Sequence, residues 1–434
     1  MKKVINQIKS HILILLVASF IGLVALYLVH LLPIGPMKTN VYWSMNMIEK
    51  EFTDEILVDG YPATMTGNFT DCLMMHYAVY ENGTRSTLEQ VLGMYRSETY
   101  DGENDPDGWW PGQSLKDYLY GVQQPREVEY SRYWHGYLVV LKPILLLTSF
   151  NNIRLLNSAI QLLLVGYIIL LFVKKKADSI AMAYLLSLPF MFYVSTYASL
   201  SLSICFYIMN LAVLIQLKRD EYLFSKNKYG IFFLLVGIST SYFDLLTYPI
   251  ITLLYPLAIY FVFHMSTLVQ NIKKVLIYSI EWGIGYVFMW ASKWILTDVF
   301  TGINTINDAF GTIGMRTQSV DNVSRMEGFF NVIIFHIKPY TNWCYILLAL
   351  ILVVGIIVKV CNIKCVRFTQ NLKNSIVFWI IALFPFVWLL VIQNHSVYHW
   401  QFTCRIIAAT VFAVIVAIHT MLSGISKDSE SIKI

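Results

Sequence analysis

Charge is what this chain has least of. Asp, Glu, Lys and Arg make up 14% of its 434 residues, where soluble domains carry about 25%. It also lacks any basic run interleaved with aromatics, so nucleic acid is not an expected partner. Cysteines number six, and Cys361 and Cys365 stand four apart in a basic segment without a histidine or acid at zinc spacing. A metal centre is therefore not expected. No nucleotide-binding pattern, fixed-period repeat, low-complexity tract or separate soluble domain is visible.

Apolar residues are abundant instead. They make up 57% of the chain and its mean hydropathy is +0.58, so the expected solvent is a bilayer. A hydrocarbon core of about 30 Å takes about 20 apolar residues per helix. On that measure the sequence predicts an all-α membrane protein with about ten transmembrane helices, at 11–33, 153–173, 178–196, 199–217, 229–248, 249–265, 275–297, 341–360, 376–393 and 405–423. Residues 1–434 read as a single polytopic transmembrane domain. The first span reads as an uncleaved anchor, being too long for a signal-peptide core and lacking a small-residue cleavage site.

Ten spans put every basic cluster on one side: Lys2, Lys3 and Lys9, then Lys174–Lys176, Lys218, Arg219, Lys226 and Lys228, Lys273 and Lys274, Lys364, Arg367 and Lys373, and Lys427 and Lys433. The positive-inside rule makes that side cytoplasmic and predicts both termini there. The long first extracytoplasmic loop, 34–134, holds sixteen acidic residues against seven Lys and Arg, a net of −9, and is expected to pack as surface helices. The apolar stretch 135–149 is short and broken by Lys142-Pro143, so it reads as a re-entrant or interfacial helix. Asn68, Asn82, Asn322 and Asn394 open glycosylation sequons, a short and common pattern.

Ionisable groups at membrane depth cost free energy and need a reason. Asp244, in SYFDLLTYP, and Lys293, in WASKW, fall at similar heights in the fifth and seventh spans. They either pair with each other or face a cavity opening outward. Asp71, in NFTDCLMMHYAVY, either caps a surface helix or serves as a general base, and nearby His76 is equally open. Arg132, His135 and Lys142 lie at the membrane boundary, where they either anchor the chain or receive an anionic headgroup, a task suited to arginine. His395, His399 and Arg405 belong to the same outer face. The two histidines are four apart, but no third ligand makes a zinc site. These groups share one height, the outer boundary, which suggests a cavity for a lipid-linked anion and a polar acceptor.

The long loop after span one with Asp71, and the segments RYWHGY, SYFDLLTYP, WASKW and NHSVYHWQFTCR, resemble the GT-C superfamily of integral membrane glycosyltransferases, in an uncharacterised bacterial branch. The paired acidic dipeptide of many relatives is replaced here by Thr70-Asp71. The resemblance implies a multi-pass protein of the bacterial plasma membrane that takes a sugar from a polyprenyl-phosphate donor. The acceptor would be a cell-envelope glycan or a lipid-linked molecule, and no cofactor or metal would be needed. It implies catalytic roles for Asp71 and Asp244. Arg132, His135, Lys293, His395, His399 and Arg405 would bind the donor phosphate and the substrate. Two other classes stay open: a flippase or transporter of lipid-linked oligosaccharide, and a polysaccharide polymerase or ligase. Against transport stands the lack of visible internal two-fold repetition.

Overall fold

The computed structural model describes residues 2–48, 55–99, 111–124, 126–320, 323–361, 363–366, 368–422 and 424–426. The Asn322 sequon and the Arg367, Lys427 and Lys433 charges lie outside these residues, as does part of the acidic loop.

The chain is mostly helical, as its long Leu, Ile and Val runs require: in hydrocarbon, backbone polar groups must bond within their own segment. Helix α1 (Lys2–His30) leads into the long acidic loop. That loop folds as α2 (Ile34–Ile48), α3 (Asn68–Val79), α4 (Thr87–Gly93), β1 (Tyr95–Glu98), α5 (Pro111–Leu119) and β2 (Arg126–Glu129). The antiparallel β1–β2 pair sets Tyr95 opposite Glu129 and Glu98 opposite Arg126. This hairpin has no apolar alternation to announce it. It is held by charge, with Glu98 taking Arg96 at 2.6 Å on one oxygen and the Arg126 Nε at 2.9 Å on the other. Opposite charges across a strand pair support such a sheet.

Then come α6 (Leu138–Leu145), α7 (Phe150–Lys174), α8 (Asp178–Ser187), α9 (Tyr193–Ala198), α10 (Leu200–Ser225), α11 (Tyr229–Phe243), α12 (Ile251–Phe263), α13 (Leu268–Thr301), α14 (Thr305–Thr317), α15 (Arg325–Ile337), α16 (Trp343–Cys361), α17 (Phe368–Val391), α18 (Gln393–Tyr398), α19 (Trp400–Thr403) and α20 (Ile407–Met421). The eight residues of α6 reach only roughly 12 Å, too short to cross. The helix contains Pro143 and turns Leu138, Leu141, Lys142 and Leu145 inward.

Ten full spans were expected; the structure carries fewer helices of full crossing length. Among the described residues six helices are long and apolar enough to cross a membrane: Ile8–His30, Phe150–Lys174, Leu200–Ser225, Leu268–Thr301, Gln370–Val391 and Trp400–Met421. The span expected at 341–360 is one limb of a pair, Arg325–Thr341 and Trp343–Val358, bent by 84°. The three others expected are shorter apolar helices, Asp178–Met191, Tyr229–Phe243 and Ile251–Phe263. The last two, at 15 and 13 residues, reach roughly 22 and 20 Å against a core of about 30 Å. The break between them falls at Asp244–Ile250, where Leu246 takes φ +64° and Pro249 disfavours helix at the residue before it. Pro189 and the left-handed Phe192, φ 47°, break the stretch after α8 in the same way.

Helices α11 and α13 approach through glycine. A Cβ on Gly237 would lie 2.0 Å from the Trp282 carbonyl oxygen, and one on Gly285 2.2 Å from that of Leu234. Small residues let backbones come this close, which is how helices associate without a hydrophobic drive between them. The contact fixes the face of α13 that carries Trp282, Tyr286, Trp290 and Trp294, four aromatics at a spacing of four.

Candidate functional site

Buried charges at the end of the bundle that carries the 34–134 loop fall into two groups. The first group is spent on helix ends. Asp71, 1% exposed, accepts the backbone N–H of Leu200 at 3.0 Å and of Ser201 at 2.8 Å, so it caps α10 from 129 residues away in sequence. Arg154 stands 3.6 Å from the same carboxylate. Lys293 donates to the carbonyls of Val91 at 2.9 Å and Leu92 at 2.8 Å, at the end of α4. Lys142 donates to the carbonyl of Ala78 at 2.7 Å, at the end of α3. Each sign matches the helix end it meets, anion at the N-terminus and cation at the C-terminus. The same groups fasten the outer loop to the membrane helices.

Arg405 grips the segment that Asp71 caps. Its Nη2 donates to Ser195 Oγ at 2.6 Å and its Nε to Thr196 Oγ1 at 3.2 Å. Asn157 holds the Tyr197 carbonyl at 2.7 Å, and Ser199 Oγ accepts from Gly67 N at 2.8 Å. Asp71 and Arg405 are thus brought to one segment, 195–201. The Asp244–Lys293 pair expected from sequence does not form. Asp244 instead accepts from Thr247 N at 2.9 Å and Thr247 Oγ1 at 2.5 Å, closing the turn between α11 and α12. An aspartate two or three residues before a free N–H commonly closes such turns.

The second group surrounds a cavity of about 210 Å³ lined by Arg132, Tyr286, Trp290, Trp294, Arg316 and Trp388, among others. Arg132 is paired at its rim with Asp308, at 2.5 Å. Arg316 donates to Nδ1 of His395 at 3.2 Å, while the His395 Nε2 donates to the Leu246 carbonyl at 2.9 Å. That pattern requires the neutral ring with its proton on Nε2. His399 lies behind it, its ring centroid 4.6 Å from that of His395. Here the polar groups are not satisfied. Arg132 Nε, the Tyr286 hydroxyl and the indole N–H of Trp290 and Trp388 are buried without a hydrogen-bond partner. Buried donors lacking a partner are rare in folded proteins, and four converge on one cavity.

A second hollow, about 380 Å³ with almost wholly apolar walls, runs between α6, α7 and α10. Its lining residues Val140, Leu156, Ile160 and Leu211 are also exposed, so it opens on the apolar outer surface of the bundle. Tyr137 and Phe243 line this groove, whereas Tyr133 and Leu246 line the aromatic cavity. The two hollows therefore share a wall made of segments 133–137 and 243–246. Gly136 N donates to the Tyr242 carbonyl at 2.9 Å across it. A Cβ on Gly136 would meet the Tyr242 ring at 2.4 Å, so only glycine fits. His135, at φ +55°, stands in this wall with Nδ1 at 2.9 Å from the Tyr137 hydroxyl and Nε2 at 3.0 Å from the Tyr130 carbonyl. Asp244 belongs to the second of these segments.

Of the expected site residues, then, Arg132, His135, Asp244, His395 and His399 gather at the cavity and its wall. Asp71 and Arg405 meet elsewhere, around 195–201, and Lys293 is committed to α4. Sequence reading missed Tyr286, Trp290, Trp294, Arg316, Trp388 and Asp308. The signal for the aromatics was available: Trp282, Tyr286, Trp290 and Trp294 form one stripe of a helix at i, i+4 spacing. Among the described residues no three His, Cys, Asp or Glu side chains are placed to hold a metal ion. No protein-family model matches the chain, and no curated protein or solved structure matches it either.

Proposed function

We propose that the protein is a membrane glycosyltransferase, moving a sugar from a polyprenyl-phosphate donor to a cell-envelope glycan or lipid-linked acceptor on the extracytoplasmic face of a bacterial plasma membrane. One observation carries the reading: an apolar groove open to lipid and an aromatic cavity with guanidinium groups back onto one wall. A lipid-linked sugar has these two halves. Its isoprenoid chain suits the groove. Its sugar suits the faces of Trp290, Trp294 and Trp388, and its phosphate suits Arg132 and Arg316, since guanidinium forks match phosphate oxygens.

In the transfer, the acceptor oxygen bonds to the anomeric carbon as the bond from that carbon to the phosphate oxygen breaks. The phosphate leaves with the electron pair, and Arg132 and Arg316 offset its charge. Asp244, in the wall, takes the acceptor proton, general-base work worth about 10²–10⁴-fold. Asp71 holds α10 and the groove edge at Leu200. The test measures glycan decoration in cells at matched protein level for Asp244→Asn, Asp71→Asn and Arg316→Ala. Decoration should collapse in Asp244→Asn and Arg316→Ala. Full retention in both removes the cavity from the reaction. Loss confined to Asp71→Asn moves the base to the Arg154 side of the groove.

A flippase for lipid-linked oligosaccharide is the second reading. The broken pair α11 and α12 favours it, because transporters place interrupted helices at their substrate sites. Movement of a labelled lipid-linked sugar across vesicles with no new glycosidic bond would select it over the first.

A further inference from the structure

At the opposite end of the bundle, where the basic loops lie, there is a third cavity of about 730 Å³. It sits where α10 meets α11 and α12 meets α13, and Tyr229, His264, Ser266, Gln270, Lys273 and Lys274 are among its lining residues. Nothing in the glycosyltransferase reading uses it.

Its chemistry is that of an anion site. Two lysines line it, and a third, Lys175, lies with its Nζ 5.3 Å from the ring of Phe263, another lining residue. Lys274 is held over the Tyr278 ring at 5.2 Å. No acidic side chain lines the hollow. Asp220, behind the lining, is already occupied: His264 Nε2 donates to it at 2.7 Å, and the Tyr229 hydroxyl donates to it too. Since an ionised carboxylate only accepts, both groups donate to Asp220 and offset its charge. The His264 ring is fixed by stacking on Phe224, 4.0 Å between centroids and 3° between planes. The first turn of α13, the N-terminus of a 34-residue helix, opens at the same place, and its dipole favours negative charge there.

We propose that this cavity binds a phosphate-bearing anion, with Lys273 and Lys274 as its ligands. The proposal is independent of the outer site and of the reaction assigned to it. A phosphate could arrive on a lipid headgroup of the adjoining leaflet or free in solution, and the two sources are separable. The full chain is purified in neutral detergent and its thermal midpoint followed against inorganic phosphate, with chloride at equal ionic strength as control. The same chain is then followed in nanodiscs of phosphatidylcholine with and without phosphatidylglycerol. A ligand that binds only the folded state raises the midpoint. A rise with phosphatidylglycerol alone assigns the lipid headgroup, and a rise with both assigns phosphate in general. In the double variant Lys273→Ala and Lys274→Ala, binding is expected to weaken roughly tenfold, the loss of charge-assisted hydrogen bonds. No rise with either anion overturns the proposal. So does a rise that survives the double variant but disappears in Arg316→Ala, because that anion belongs to the other cavity.

Discussion

The helix-end charges and the aromatic cavity hold similar chemistry at the same end of the molecule and treat it in opposite ways. Asp71, Lys142 and Lys293 are buried ionisable groups, each hydrogen-bonded to backbone at a helix end. Around the cavity, two indoles, a phenol and a guanidinium nitrogen are buried with none. Satisfied buried charge fixes structure, whereas unsatisfied donors wait for something the chain does not contain. The contrast separates residues that a list of intramembrane charges would group together, and it can be broken by measurement.

The largest effect is expected at Asp71. Replacing it by Ala strips two amides at the start of α10 of their acceptor and leaves Arg154 without this carboxylate. Breaking a buried charged pair costs about 3–5 kcal/mol. The thermal midpoint of purified protein in detergent reads this directly. A change of less than about 1 kcal/mol would mean that Asp71 is not structural and would return it to the list of catalytic candidates. Lys293→Met comes next. It keeps the apolar stem but uncaps two carbonyls at the end of α4, at about 1–3 kcal/mol for buried groups left unpaired.

These assignments show how far the sequence reaches. The apolar runs place the six helices of crossing length, because length and hydropathy are local properties. The polar residues that matter are equally easy to pick out. Their partners are not. Lys293 finds Val91 and Leu92 some two hundred residues away, and Asp71 finds Leu200, so neither contact leaves a trace in local spacing. That is why Asp244 and Lys293 looked like a pair and are not. The short helices α11 and α12 were misread for a related reason. Their hydropathy continues through the turn, and only Pro249 and the cap formed by Asp244 and Thr247 end them. The aromatic stripe of α13 was within reach of a periodicity count, but a stripe of large residues at i, i+4 also describes an ordinary packed face. Only the unpartnered Tyr286 hydroxyl and Trp290 indole nitrogen distinguish the two.

His76 stands outside both groups, its Nδ1 also being buried without a partner, and it can be tested by pH. It is buried in the outer loop, with Ser97 Oγ at 3.3 Å from Nε2. Burial, and then the charge of Arg96, push its pKa from 6.5 down to about 3. Between those values the unfolded chain holds a proton that the folded chain refuses. Stability is therefore complete above pH 6.5 and falls as pH drops below it. At one unit below, this single group accounts for about 1.4 kcal/mol. His76→Gln should flatten that part of the profile by one proton's worth. An unchanged slope between pH 6.5 and 4.5 would show that water reaches the ring.

The smallest effect on stability is expected where the contrast is sharpest. Tyr286→Phe deletes a buried hydroxyl that has no partner, so folding loses no hydrogen bond and is relieved of an unsatisfied group. The midpoint should stay within about 0.5 kcal/mol of the parent or rise. Trp388→Phe removes an unpartnered N–H but also ring volume, which costs something of its own in packing, so Tyr286→Phe is the cleaner variant. If the cavity is the site, the same substitution should lower glycan decoration while the protein stays folded, because the hydroxyl then has a partner only when substrate is bound. A drop in stability of 1 kcal/mol or more, a typical value for a lost hydrogen bond, would instead mean that an ordered water satisfies Tyr286 in the resting protein. The cavity would then be a hydrated structural void, and its unpaired donors would lose their meaning as a signature of function.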